Sequence, residues 1–257
     1  MDKPCLRCGK KPTINSHIFP KAAVRAFRTR GPDKRTIAVL ENRAMVANTQ
    51  NGIFDPNILC ATCDQRIGVA DKWFIENLNV LHSAALGKKP YEVVKVKIDA
   101  RRAIQFATSV IYRASLSRLD HFHDILLGPY NEVAGEIAIN STIADFLRPF
   151  VIINVLTSDI LDLRQFVFYP VKCVNGNGPY FLFNISGIQF ITKFGGAAHG
   201  LNGSDDLLSK HRVLPDADVN LCCYPFDDSA EALSMRNVRR GDKEHKRQQI
   251  VTGNDAD

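Results

Sequence analysis

Two Cys-x-x-Cys pairs, Cys5/Cys8 and Cys60/Cys63, stand 51 residues apart in the first quarter of a 257-residue chain. No other feature restricts the fold as strongly. Thiolates three positions apart can be aimed at one point, and two such pairs supply the four soft donors of a closed tetrahedral zinc site. If they do so, the two limbs that carry them must meet, and everything between must fold back on itself. Two alternatives stay open at this level: unrelated buried pairs, or disulfides of an exported protein. Zinc is favoured because four of the seven cysteines fall into matching pairs, and because Met1-Asp2-Lys3-Pro4-Cys5 does not read as the start of a signal peptide.

The segment between the pairs carries Ser16-His17-Ile18-Phe19-Pro20, with His17 nine positions after Cys8. Arg7-Cys8-Gly9-Lys10 is similar to a zinc knuckle, and Leu59-Cys60-Ala61-Thr62-Cys63 leads into a helical pattern. Together these residues resemble the HNH, or ββα-metal, endonuclease family over about residues 3–76. Its zinc-bearing members read Cys-x-x-Cys, a His followed by Ile-x-Pro, then an Asn-containing segment running into Leu-Cys-x-x-Cys. The resemblance implies that His17 is the general base that activates water against a phosphodiester, with Asn57 as its catalytic partner. It also implies that Asp64, which follows the second pair, ligates a catalytic magnesium or manganese ion. The sequence departs from the family at three places. Ser16 precedes His17 where Asp or His is usual, Asp64 replaces His or Asn, and Asp55 occupies the usual place of the middle Asn. Four cysteines leave no open coordination position, so the zinc is expected to be structural. A base also needs its second ring nitrogen held, and Asp55 and Asn57 are the candidates for that task.

Charge points in the same direction. Residues 1–36 hold ten Lys or Arg against two Asp, more net charge than the +6 of the whole chain, so the remainder is nearly neutral. Lys21, Arg25 and Arg28 recur at helical spacing behind Pro20, and Arg30 follows. Cations gathered beside a candidate base suit phosphate contacts. The same residues also suit a solvated helix face opposite Ala22, Ala23, Val24, Ala26 and Phe27.

The expected fold class is α+β, divided as a zinc-stapled ββα-metal module over 1–90, an α+β domain with two helices and an antiparallel sheet over 91–230, and a charged tail over 231–257. One strand, 36–40, is expected in the polar loop of the first module. Helices are expected over 21–30, 65–81, 100–119 and 131–147, and strands over 151–156, 165–174, 180–185, 187–194 and 219–224. Asn175-Gly176-Asn177-Gly178 and Ser186-Gly187 read as hairpin turns. Trp73 is expected in the core and His82 at the surface. Arg101, Arg102, Arg113 and Arg118 are expected as solvated charges, His121 and His123 in a polar loop, and Cys173, Cys222 and Cys223 as small buried residues. Gly195 to Gly200 lacks the Lys-Ser/Thr of a phosphate loop.

No apolar run approaches the length of about 20 residues that spans a membrane. The expectation is therefore a cytoplasmic protein that binds nucleic acid, DNA in the first place, with no membrane partner and with a homodimer left open. HNH proteins of similar size occur in phage and phage-defence settings, which is the context the resemblance suggests. A non-catalytic zinc-ribbon nucleic-acid-binding protein with a degenerate HNH site is the alternative. A zinc scaffold for protein contacts is a third reading, which the charge beside His17 disfavours.

Overall fold

Residues 3–10, 13–26, 36–39, 46–49, 52–143, 149–159, 161–175, 178–195 and 211–229 are described by the computed structural model. The chain opens with β1 (Ser16–His17) and α1 (Lys21–Ala26), then β2 (Thr36–Val39), β3 (Val46–Thr49) and β4 (Phe54–Asp55). The long helix α2 (Ala61–Ala85) leads to β5 (Val93–Val96), α3 (Ala100–Leu116) and α4 (Asn131–Asn140). β6 (Phe150–Thr157), β7 (Phe166–Asn175), β8 (Gly178–Ile185), β9 (Ile188–Lys193) and β10 (Val219–Pro225) follow. The architecture is mixed α+β, as the alternation of periods predicts.

β1 pairs with β4 in a small antiparallel ladder, and eight strands form one sheet in the order β3-β2-β7-β8-β9-β6-β10-β5. That sheet is mixed, not wholly antiparallel as expected: β2 runs parallel to β7, and β6 parallel to β10. Strand periodicity carries no direction, and a parallel pair needs only a long crossover. The intervening chain supplies it in both cases. The β7–β8–β9 meander is antiparallel. Ser186 and Gly187 turn β8 into β9 with φ of 58° and 77°, the two positive values that a tight primed hairpin turn demands. β3 was not expected, and with β2 it adds a hairpin from the segment between the cysteine pairs to the edge of the large sheet. Arg28, Arg30 and the charged tail lie outside the described residues.

Alternation along the strands separates two apolar layers. Val167 and Tyr169 of β7 join the large cluster beneath the helices, while Phe166 and Phe168 face the other way with Leu156, Leu163 and Phe226. α2 packs on β5 and β6, and α3 on β7 and β9. The large cluster runs without interruption from Ile18 and Phe19 through Trp73, Phe74 and Leu81 to Val96, Phe106 and Phe190, on both sides of the turn near residue 90. Phe74 and Phe106 stack at 4.3 Å, which ties α2 to α3.

α3 is buried from Ala103 to Ala114 on every face because it is the middle helix, between the sheet and its neighbours α2 and α4. This overturns one expectation: Arg113 is not a solvated charge but 2% exposed, its guanidinium forked onto Asp71 of α2 at 2.8 Å on both arms. His82 is likewise half-buried, its ring near the β8–β9 turn at Gly187, not at the surface. Cys222 and Cys223 are buried as expected, while Cys173 is only partly covered.

Candidate active site and metal centre

The cysteine centre is built by two local structures. In the first, the Cys5 N–H donates to the Lys10 carbonyl at 2.8 Å and the Gly9 N–H to the Cys5 carbonyl at 2.9 Å. Gly9 takes φ of +71°, which a side chain would resist. In the second, Cys60 lies at the N-terminus of α2 in an extended conformation and Cys63 follows in the first helical turn. The limbs are joined by Leu6 N–H to Ile58 O and Ile14 N–H to Leu59 O, each at 2.9 Å.

The four ligand atoms of Cys5, Cys8, Cys60 and Cys63 all lie within 4.8 Å of one another, with Cys8 Sγ 3.6 Å from Cys60 Sγ. A tetrahedron with metal–sulfur bonds of about 2.3 Å has edges of about 3.8 Å, whereas a disulfide needs about 2.05 Å. The cluster therefore fits one ion such as zinc, and none of the seven cysteines is paired in a disulfide. Burial pushes the Cys5 thiol up, but backbone N–H groups of Cys8, Cys60 and Arg7 outweigh it and bring it to about 7. Burial pushes Cys63 up, and its thiol neighbours add to the rise. Three of the four thiols are buried, so the ion would share its charge with few waters. Arg7 fastens this limb to α4 through Glu132 and Glu136.

Next to this centre the β1·β4 ladder pairs Ser16 with Asp55 and His17 with Phe54. Directly paired residues share a face, so Ser16 and Asp55 point inward, at 0% and 2% exposure, and His17 and Phe54 outward. Ser16 Oγ donates to Asp64 Oδ1, one residue beyond Cys63. Thus Ser16 joins the strand holding His17 to the helix start holding Asp64. Ser16 orients the Asp64 carboxylate, which remains partly accessible with Oδ2 unbonded among the described residues.

His17 is half-buried. Its pKa is depressed from 6.5 by burial first and then by Lys21; Asp64 pulls the other way, and Arg113 and Arg25 add smaller downward pushes. The lowered pKa favours the neutral imidazole. No side chain among the described residues hydrogen-bonds to its ring. Asp55, a candidate for that task, is committed elsewhere: Oδ1 accepts from the Asn57 N–H at 2.8 Å, and Oδ2 from Ser117 Oγ at 2.9 Å and the Arg118 N–H at 3.2 Å. Asn57 sits in the turn from β4 to α2, where that N–H bond shapes the chain. Lys21 and Arg25 are exposed on α1.

Asp71 and Arg113 were missed by sequence reasoning. Asp71 lies seven residues after Asp64 on α2, two helical turns along the same face, and that spacing was the available signal. Burial pushes the Asp71 carboxyl up and the Arg113 fork pulls it back; Asp64 and His17 act on it more weakly. Asp64, Asp71, Arg113 and His17 thus act on one another electrostatically.

No family model matches the chain, and comparison with curated proteins and with solved structures returns no match.

Proposed function

We propose that residues 3–76 form an HNH-type endonuclease centre, in which one structural zinc clamps a divalent-metal-dependent phosphodiesterase site acting on nucleic acid, with DNA the first substrate to test. The observation that carries this reading is the Ser16–Asp64 hydrogen bond, which joins the His17 strand to the start of α2 beside four converging thiols. A strand pair followed by a helix, with the base on the first strand and a carboxylate at the helix start, is the arrangement that the resemblance implies.

A magnesium or manganese ion would supply charge neutralisation at the phosphoryl oxygens, and Asp64 is the residue that would hold it. The chain's own groups do the rest. His17, neutral and half-buried, accepts a proton from the attacking water as its oxygen bonds to phosphorus. The bond from phosphorus to the leaving oxygen breaks, and that oxygen takes a proton from solvent. Lys21 and Arg25 face the backbone phosphates from α1. Ser16 keeps the Asp64 carboxylate in one orientation.

Plasmid nicking with added manganese tests the reading. His17→Ala and Asp64→Ala are each expected to lower the rate by about 10²–10⁴-fold, the range for a lost general acid or base. Unchanged cleavage by both variants refutes the site. Absence of nicking by the wild-type chain under every divalent cation, with salt-sensitive binding retained, would favour the non-catalytic zinc-ribbon alternative.

A further inference from the structure

Phe54 is the member of this centre that its own packing does not require. Ser16 and Asp55 beside it are buried, and Ile18 and Phe19 that follow His17 are 0% exposed, yet Phe54 keeps 43% of its surface in solvent. A single exposed apolar side chain is ordinary. Its position is not: the ladder sets Phe54 directly opposite His17, with ring centroids 5.7 Å apart and planes inclined by 47°. The two rings share the outward face of the ladder. On α1, Lys21 and Arg25 are exposed four and eight residues beyond His17, and both charges act on its imidazole. A flat apolar ring and an imidazole therefore share the outward face of the ladder, with two exposed cations on the adjoining helix α1 close enough to act on that imidazole. Aromatic platforms flanked by cations are the means by which proteins hold unpaired nucleotides, the ring taking the base and the cations its phosphates. In an intact duplex both faces of every base are covered by neighbours, so a side chain of this kind finds no face to stack on.

Resting on the nuclease reading above, we propose that Phe54 is a stacking platform for an unpaired nucleobase beside the phosphodiester presented to His17. The preferred substrate of the centre is then nucleic acid with single-stranded character at the cut.

Fluorescence anisotropy of the full chain tests this, with a labelled single-stranded DNA and the duplex of the same sequence and no added divalent cation, so that binding is read without cutting. Phe54→Ala is expected to weaken single-strand binding about 5- to 150-fold, the range for one lost aromatic–base stack, and duplex binding by less than about twofold. Phe54→Trp is expected to keep the affinity, and Phe54→Leu, apolar without a π face, to lose it. A 2-aminopurine placed in the strand should be quenched by the wild-type chain and not by Phe54→Ala. Zinc content reports that each variant is folded, and Trp73 emission does so for Phe54→Ala and Phe54→Leu. Equal losses on both substrates, or no loss on the single strand, overturn the proposal while leaving the nuclease reading intact. A wild-type chain that binds neither form overturns both.

Discussion

Replacing Arg113 by Met should destabilise the protein by about 3–5 kcal/mol, the usual cost of leaving one partner of a buried ion pair alone. The structure sets the size of the effect. The Arg113 side chain is 2% exposed and Asp71 16%, so solvent screens neither charge, and both arms of the guanidinium bond at 2.8 Å. Arg113→Met keeps the length of the side chain but leaves a carboxylate with no cation in a site that burial already makes hostile to it. The pair is nevertheless incompletely satisfied, because Arg113 Nε has no hydrogen-bond partner among the described residues. That orphan donor costs about 1–3 kcal/mol and offsets part of what the fork gains. Asp71→Leu combined with Arg113→Met should therefore recover most of the loss, ending within about 1 kcal/mol of the wild type or above it. Urea unfolding in zinc-containing buffer measures this, followed by the emission of Trp73, the only tryptophan, which lies buried on α2 two residues beyond Asp71. A single-variant loss below about 1 kcal/mol, or a double variant no better than Arg113→Met, would refute the reasoning.

Other expectations are quickly checked. Purified chain should carry one zinc by elemental analysis, and Cys60→Ser should lose it; a well-folded zinc-free wild type would contradict the tetrahedral reading of the thiols. Because burial and the nearby cations depress His17 below 6.5, cleavage should rise with pH through that lowered value and be level by pH 7; a rate still climbing above pH 7 points to another base. The unfolded chain holds the His17 proton more tightly than the folded one, so the associated stability is present above about pH 6.5 and is lost as pH falls through the depressed value, a dependence that His17→Ala should flatten. Asp55→Asn should lower stability by about 1–3 kcal/mol by setting an NH₂ against the donors at Ser117 and Arg118, while leaving the pH–rate profile in place; a shifted profile would make Asp55 the group that orients the imidazole.

The parts of this chain that were legible in sequence are those whose signal is local. A Cys-x-x-Cys pair carries its geometry within four residues, and Ser186-Gly187 announces its turn because few dipeptides accept two positive φ values. Arg113 was not legible, since its partner lies 42 residues away and the charges of α3 look scattered when the helix is imagined half in water. α3 is immersed instead, and several of its polar residues find partners there: Gln105 Nε2 donates to the Ala138 carbonyl at 3.0 Å, Ser109 Oγ to the Phe106 carbonyl at 2.8 Å, and Arg113 to Asp71. Gln105 and Arg113 need partners on other helices, which the periodicity of α3 cannot display. Val46-Ala47-Asn48-Thr49 failed to read as a strand for a related reason: it lacks alternation and becomes β3 only by pairing with β2 at an edge of the sheet.

The 51 residues between the cysteine pairs are best understood through what they deliver to the sheet. Phe19, two residues after His17, stacks on Tyr169 at 4.7 Å and leans on Phe183 at 5.5 Å. Tyr169 in turn accepts the Ile53 N–H at 2.8 Å, one residue before Phe54. Both strands of the ladder are thereby fixed to the same tyrosine of β7, and Asp55 fixes the second strand again to the end of α3. The thiols tie the opposite side. Full burial of a Phe contributes about 1.5–3 kcal/mol, so the apolar anchor alone is comparable to several surface hydrogen bonds. A two-residue ladder could not keep its register by its own hydrogen bonds. It does so here because its ends are set by a core and by a four-thiol centre, which is the physical reason that so small a ladder can keep Ser16 and Asp55 buried while His17 and Phe54 face outward.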